Sequence, residues 1–229
     1  MDIIVTGCSR GIGLELVTQL AEVSGRRIVA ISRNIASVDS VKDNFPAQIL
    51  PLSLDLTSVD FTKSLLEFVN HHKIHPSILI NNAGQLVNKS FLELDLADFD
   101  NMFNVNVKSA FRLIQLLYPY FAENAHIVNI GSMGGLQGSV KFPGLSFYSA
   151  SKGALAILTE CLAEELKDRN LRFNCLALGS ANTEMLNEAF PGYKAPVDAS
   201  EMAEFICNFA LNAAPFFNGK VIPVSSSTP

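Results

Sequence analysis

The chain has 229 residues, 48% hydrophobic and 17% charged, with 17 basic against 22 acidic side chains and a net charge of −5. This excludes a disordered chain, which needs low hydrophobicity and high net charge, and it argues against a nucleic-acid partner, whose binders are normally basic. At about 150 residues per domain, the length fits one large domain or two small ones. No run approaches about 18 uninterrupted apolar residues, so no membrane span is expected. The opening segment lacks the basic region and apolar core of a signal peptide. Cys8, Cys161, Cys175 and Cys207 stand far apart, without metal-like spacing, and read as reduced thiols of a cytoplasmic protein.

The first predicted strand, Asp2–Thr6, runs into Gly7-Cys8-Ser9-Arg10-Gly11-Ile12-Gly13 and a helix over Gly13–Ser24. Glycine permits a tight turn and lets the backbone approach a diphosphate. The helix N-terminus beyond it offers free N–H groups and a positive dipole end. These seven residues are a candidate phosphate-binding turn; an ordinary tight βα turn is the alternative. The second strand, Arg27–Ser32, ends at Arg33. A carboxylate there would accept from a ribose 2′-hydroxyl, whereas arginine accommodates a 2′-phosphate. Arg33 and Arg10 therefore point to NADP(H), each arginine–phosphate bond contributing about 1.5–3 kcal/mol.

Further strands are predicted at Ile49–Leu54, Ile78–Asn81, His126–Ile130, Arg172–Ala177 and Val221–Val224. Helices are predicted at Asp60–His71, Leu96–Phe121, Ser149–Asp168 and Ala199–Asn212. Most strands are apolar throughout, as parallel strands covered on both faces are. The alternation implies right-handed βαβ units, hence an α/β fold: a Rossmann-type, doubly wound, seven-stranded parallel sheet with helices on both faces. No linker or repeat interrupts it. Residues 1–224 read as a single dinucleotide-binding and catalytic domain, and 225–229 as a flexible tail.

Ser132 follows the His126–Ile130 strand, at the carboxyl end of the sheet where ligand crevices form. Tyr148-Ser-Ala-Ser-Lys152 places a phenol and an ammonium on one helix face. Together with the glycine turn, Asn81-Asn82-Ala83-Gly84 and Asn106, these motifs resemble the short-chain dehydrogenase/reductase family in its compact, NADP-preferring form, over essentially the whole chain. The resemblance implies a carbonyl–alcohol oxidoreductase. Tyr148 would be the general acid, its pKa depressed by Lys152 and the nicotinamide; Lys152 would also bind the nicotinamide ribose. Ser132 would hold the substrate oxygen, and Asn106 would anchor a water of the proton relay. It further implies adenine contacts at Asp55 and Leu56, ribose contacts at Asn82, Ala83 and Gly84, and carboxamide contacts at Ala181 and Thr183. Leu178 stands where the family usually has proline, which implies a looser turn.

Met133, Phe142, Leu145, Met185, Leu186 and Phe190 are the expected apolar substrate pocket, with a lid over 185–194. Such pockets discriminate by only about 1–3 kcal/mol per methylene, so broad specificity is expected. The apolar content of helices 96–121 and 149–168, including Phe111, Leu113, Leu116, Leu117, Ala154, Ile157 and Leu158, suggests a homodimer or homotetramer. Two other readings stay open: a 3-oxoacyl-carrier reductase, docking through Lys141, Lys194 or Arg112, and a non-catalytic NADP(H) sensor. His71, His72 and His75 read as a solvated helix end and no metal site is expected. Phe91, Phe99, Phe103, Phe111 and Phe121 read as core or interface. Cys8, near a helix N-terminus, is a candidate for a lowered thiol pKa.

Overall fold

A computed structural model describes residues 1–226. Seven parallel strands form the main sheet: β1 (Asp2–Thr6), β2 (Arg27–Ser32), β3 (Ile49–Ser53), β4 (Pro76–Asn81), β5 (His126–Ser132), β6 (Arg172–Leu178) and β9 (Lys220–Val224). Their order is β3-β2-β1-β4-β5-β6-β9, the Rossmann-type arrangement expected. The chain winds outward from β1 to β3, then returns to β4 beside β1. That reversal opens a crevice at the carboxyl ends of β1 and β4. β7 (Ala181–Asn182) and β8 (Val197–Asp198) form a separate two-stranded pair.

Alternate side chains of each strand go to opposite layers. Ile3, Val5, Ile28, Ala30, Ile78 and Ile80 pack beneath α1 (Gly11–Ala21), α2 (Ala36–Lys42) and α8 (Ala199–Asn212). Ile4, Val29, Ile31, Leu79 and Ile127 pack beneath α3 (Phe61–His72), α5 (Ser109–Leu117) and α6 (Ser146–Glu165). Two-sided burial is why these strands carry continuous apolar runs.

Differences from expectation are local. α2 was not predicted; only its Val38 is buried, so it carries little apolar signature. The helix predicted over Leu96–Phe121 is broken into α4 (Leu96–Phe103), a π-helical turn (Asn104–Lys108) and α5. Leu113 and Leu117 of that segment lie in the core, not on an outer face, while Phe111 is 43% exposed. Of the five recurring phenylalanines, only Phe121 is fully buried. The first part of the expected lid, 185–189, belongs to a short helix, α7 (Glu184–Ala189). Leu178 ends β6 in register with Val224, and the following Gly179 N–H donates to Val224 O at 2.8 Å. Of the expected tail, Ser225 packs on Gly179, and 227–229 lie outside the described residues.

Candidate active site

The glycine turn is clamped from β4. Thr6 Oγ1 accepts from the N–H groups of Asn82 and Ala83 at 3.1 and 2.9 Å, and Asn82 Nδ2 donates to Thr6 O and Gly7 O. Gly7 has φ +73° and Gly11 φ +54°, the left-handed region that glycine adopts without strain. A Cβ on Gly7 would lie 2.7 Å from Ala83 Cα, and one on Gly13 would lie 2.0 Å from Gly7 O. Close approach to a diphosphate was the expected reason for these glycines; packing within the turn and against β4 already requires two of them. Helix α1 begins at Gly11 with no side-chain cap, so the first-turn N–H groups, which have no intrahelical acceptors, suit an anion. Cys8 is buried, and burial pushes its thiol up, opposite to the expected lowering.

Across the crevice, the Tyr148 phenol stands near enough to the Ser132 hydroxyl at the end of β5 for Ser132 to favour its ionised form, while Ser132 Oγ accepts from Gly134 N–H at 3.2 Å. Burial raises the Tyr148 pKa and Ser132 offsets it only in part. The expected depression by Lys152 does not appear among the influences of the chain's own groups: the ammonium lies over the phenol ring but bonds a backbone carbonyl, not the hydroxyl. Lys152 Nζ donates to Ile130 O at 2.8 Å and stands 5.9 Å from the centre of the Tyr148 ring. Burial lowers its pKa from 10.5 to about 8. Asn106 sits in the π turn, where its side chain is 1% exposed. Its Oδ1 accepts from Gln85 N–H at 2.7 Å, and its Nδ2 donates to Gln85 O and Ser151 Oγ, each at 2.9 Å. The site side of Gly84 faces both Lys152 Nζ and Asn106 Oδ1.

At the outer strands, Arg33 is exposed past the end of β2. Asp55 accepts from Thr57 N–H and Oγ1; those bonds, assisted by the Arg33 charge, hold its carboxyl below the usual range. Ala181 lies in β7, and Thr183 caps α7 by accepting from Leu186 N–H. The pocket residues separate. Phe142 and Leu145 line a groove of about 780 Å³ on the outer face of α6, together with Phe91, Gly153, Ile157 and Val221. Met133, Met185, Leu186 and Phe190 do not line it, and neither do Ser132 or Tyr148.

The family model for short chain dehydrogenases matches residues 2–194. The chain belongs to this family. Its fold and ordered motifs make it an oxidoreductase enzyme of the short-chain dehydrogenase/reductase class. It is 30% identical to a 3-oxoacyl-[acyl-carrier-protein] reductase of Thermotoga maritima over 96% of this chain and 94% of that one. It is 35% identical to an NADPH carbonyl reductase of Sus scrofa over 75% of this chain and 68% of that one. A short-chain dehydrogenase of Burkholderia cenocepacia, solved with NADP, superposes with a TM-score of 0.87 at 26% identity, covering 99% of this chain and 96% of that one.

Within this short-chain dehydrogenase/reductase framework, three residues join the site that the sequence did not single out. Asn88 Nδ2 donates to Ala189 O, tying the 85–90 loop to the end of α7. Gln85 holds Asn106 through its backbone. Glu188 on α7 meets Arg10. Each works through a partner distant in sequence, and spacing carries no signal of that kind. Among the described residues no group of three or more potential metal ligands occurs, and no helix is long and apolar enough to cross a membrane.

Proposed function

We propose that the protein is an NADPH-dependent reductase that converts a ketone or aldehyde to an alcohol, using Ser132, Tyr148, Lys152 and Asn106. The observation that carries this reading is the placing of the half-buried Tyr148 phenol by Ser132 at the carboxyl end of β5, with the buried Lys152 ammonium one helical turn along α6 and 5.9 Å from the phenol ring centre. The uncapped N-terminus of α1 supports a dinucleotide: residues 7–13 would hold its diphosphate, and Arg33 with Arg10 its 2′-phosphate. Asp55 and Leu56 would flank the adenine, Asn82, Ala83 and Gly84 the adenosine ribose, and Ala181 with Thr183 the carboxamide. When bound, the nicotinamide supplies hydride to the carbonyl carbon. Ser132 donates to the substrate oxygen and fixes it beside Tyr148. Burial keeps the Tyr148 phenol protonated, as a general acid for reduction must be. Its proton passes to that oxygen as the C–O bond becomes an alcohol. Lys152 brings positive charge beside the phenolate left behind, and Asn106 braces Gln85 and Ser151 around it.

The 3-oxoacyl-carrier reading draws on the Thermotoga maritima relative. An acidic carrier would need free basic side chains. Arg112 instead donates to Ser58 O, Val59 O and Thr62 Oγ1 and stacks on Phe61, while Lys141 Nζ donates to Leu136 O and Ser139 O. Of the three expected docking residues only the exposed Lys194 is not engaged in this way, and a single lysine favours a small carbonyl substrate over an acidic carrier. Residues 1–224 act as one catalytic unit in this reading, in the cytoplasm, as a homodimer or homotetramer.

The decisive experiment is NADPH oxidation with a panel of ketones and aldehydes, using wild type and Tyr148→Phe. The variant is expected to lose about 10²–10⁴-fold in turnover, the usual contribution of a general acid, while still binding NADPH. Undiminished turnover defeats the assignment.

A further inference from the structure

The guanidinium of Arg10 spans from the glycine turn to α7. Both its terminal nitrogens donate to the Glu188 carboxylate, Nη2 to Oε2 at 3.0 Å. Glu184, one turn earlier on α7, brings a second carboxylate. Its Oε2 lies 3.4 Å from where a Cβ on Gly11 would stand, and its charge also acts on Arg10. The acidic face of α7 is thus applied to the turn whose N–H groups and cation suit a phosphate. In the reading above, Arg10 helps to recognise the 2′-phosphate, but one planar guanidinium cannot give the same two N–H bonds to both anions.

We propose that Glu188 is a specificity-determining residue: it competes with the 2′-phosphate of the cofactor for Arg10, and so sets how strongly NADP(H) is preferred over NAD(H). This inference rests on the NADP(H) reading of the site. A phosphate dianion forms the stronger bidentate partner for arginine, so NADP(H) can draw Arg10 off Glu188. NAD(H) has no group at that position and leaves the pair in place. Glu188 therefore lowers affinity for the phosphorylated cofactor only. The two side chains are 47% and 62% exposed, and a pair so exposed holds its partners by a factor of about three to five.

The test is fluorescence titration of the full chain with NADPH and with NADH, for wild type, Glu188→Gln, Arg10→Gln and the double variant. Glu188→Gln is expected to tighten NADPH by about three- to fivefold and leave NADH unchanged. Arg10→Gln should weaken NADPH alone, and in that background Glu188→Gln should have no further effect. If Glu188→Gln leaves NADPH unchanged, weakens it, or moves both cofactors alike while Arg10→Gln still costs NADPH affinity, the competition is refuted and the NADP(H) reading stands. If Arg10→Gln leaves NADPH binding intact, Arg10 does not read the phosphate and the competition is refuted; the NADP(H) reading falls as well if wild type binds NADPH no more tightly than NADH. Both side chains are at the surface, so circular dichroism suffices to verify folding of each variant.

Discussion

Lys152 combines two demands that oppose each other. It must carry charge beside Tyr148, yet it is only 4% exposed, and burial disfavours the ammonium. The Ile130 carbonyl accepts one of its protons at 2.8 Å, and the pKa still falls to about 8. The charged form is therefore lost as pH rises through about 8. We expect kcat/KM for ketone reduction to decline above that pH. Lys152→Arg, whose guanidinium keeps its proton, should move the decline to higher pH while lowering the maximum. A decline that stays near the same pH in Lys152→Arg belongs to another group. The pairing of Tyr148 with Lys152 was legible in the sequence, because four residues make one helical turn. The directions of the Tyr148 and Cys8 shifts were not, since each follows from burial, which depends on what the rest of the chain packs above the site. The partner of Arg10 was equally illegible: Glu188 is 178 residues away.

Among the elements, the strands were legible because a parallel sheet covered on both sides leaves an apolar run for each, and their predicted limits fall within a residue or two of the observed ones. The break at Asn104–Lys108 was not legible, since its residues continue the helical pattern on either side. A π turn admits one extra residue into the helix and so reorients the chain around Asn106. At the opposite end of the sheet, β5, β6 and α8 are joined by His126. Its Nδ1 meets Ala210 O at 3.0 Å, and its Nε2 meets Asn174 Nδ2 at 3.0 Å. A carbonyl can only accept and an amide nitrogen can only donate, so the ring must be neutral, with its proton on Nδ1. Burial lowers its pKa from 6.5, and only the Ala210 bond opposes that. The unfolded chain then binds the proton more readily than the folded one. The stability contributed by neutral His126 is complete above about pH 6.5 and is lost as pH falls toward the folded-state value. Urea unfolding between pH 7 and pH 5 should show this loss, at no more than about 1.4 kcal/mol per pH unit for one proton. His126→Gln should flatten the slope, and an unchanged slope would assign it to the carboxylates.

At the scale of the whole molecule, two features of the surface pull in different directions. A net charge of −5 favours separate, soluble copies. Against it stands an apolar band across the outer faces of α4, α5 and α6. Phe103, Val107, Phe111 and Leu158 line one recess there, and the groove containing Phe142 and Ile157 lies on the same α6 helix. Ile157 is 60% exposed, although Leu155 and Thr159 beside it are buried against the sheet. Exposed large apolar side chains of this kind mark an interaction site, and the sheet beneath is covered by Leu113, Leu117 and Leu155. A second copy of the chain is the occupant we expect, because the band is built from the two long segments, 96–121 and 149–168, that flank the catalytic residues and would hold them in place. Light scattering at micromolar concentration should give a multiple of 24.8 kDa. Replacing Phe111 and Ile157 together with glutamate should return the mass to that of one chain with its circular dichroism intact, because both side chains point away from the core. A wild-type chain already monomeric at that concentration would refute the assembly while leaving the chemistry at Tyr148 untouched.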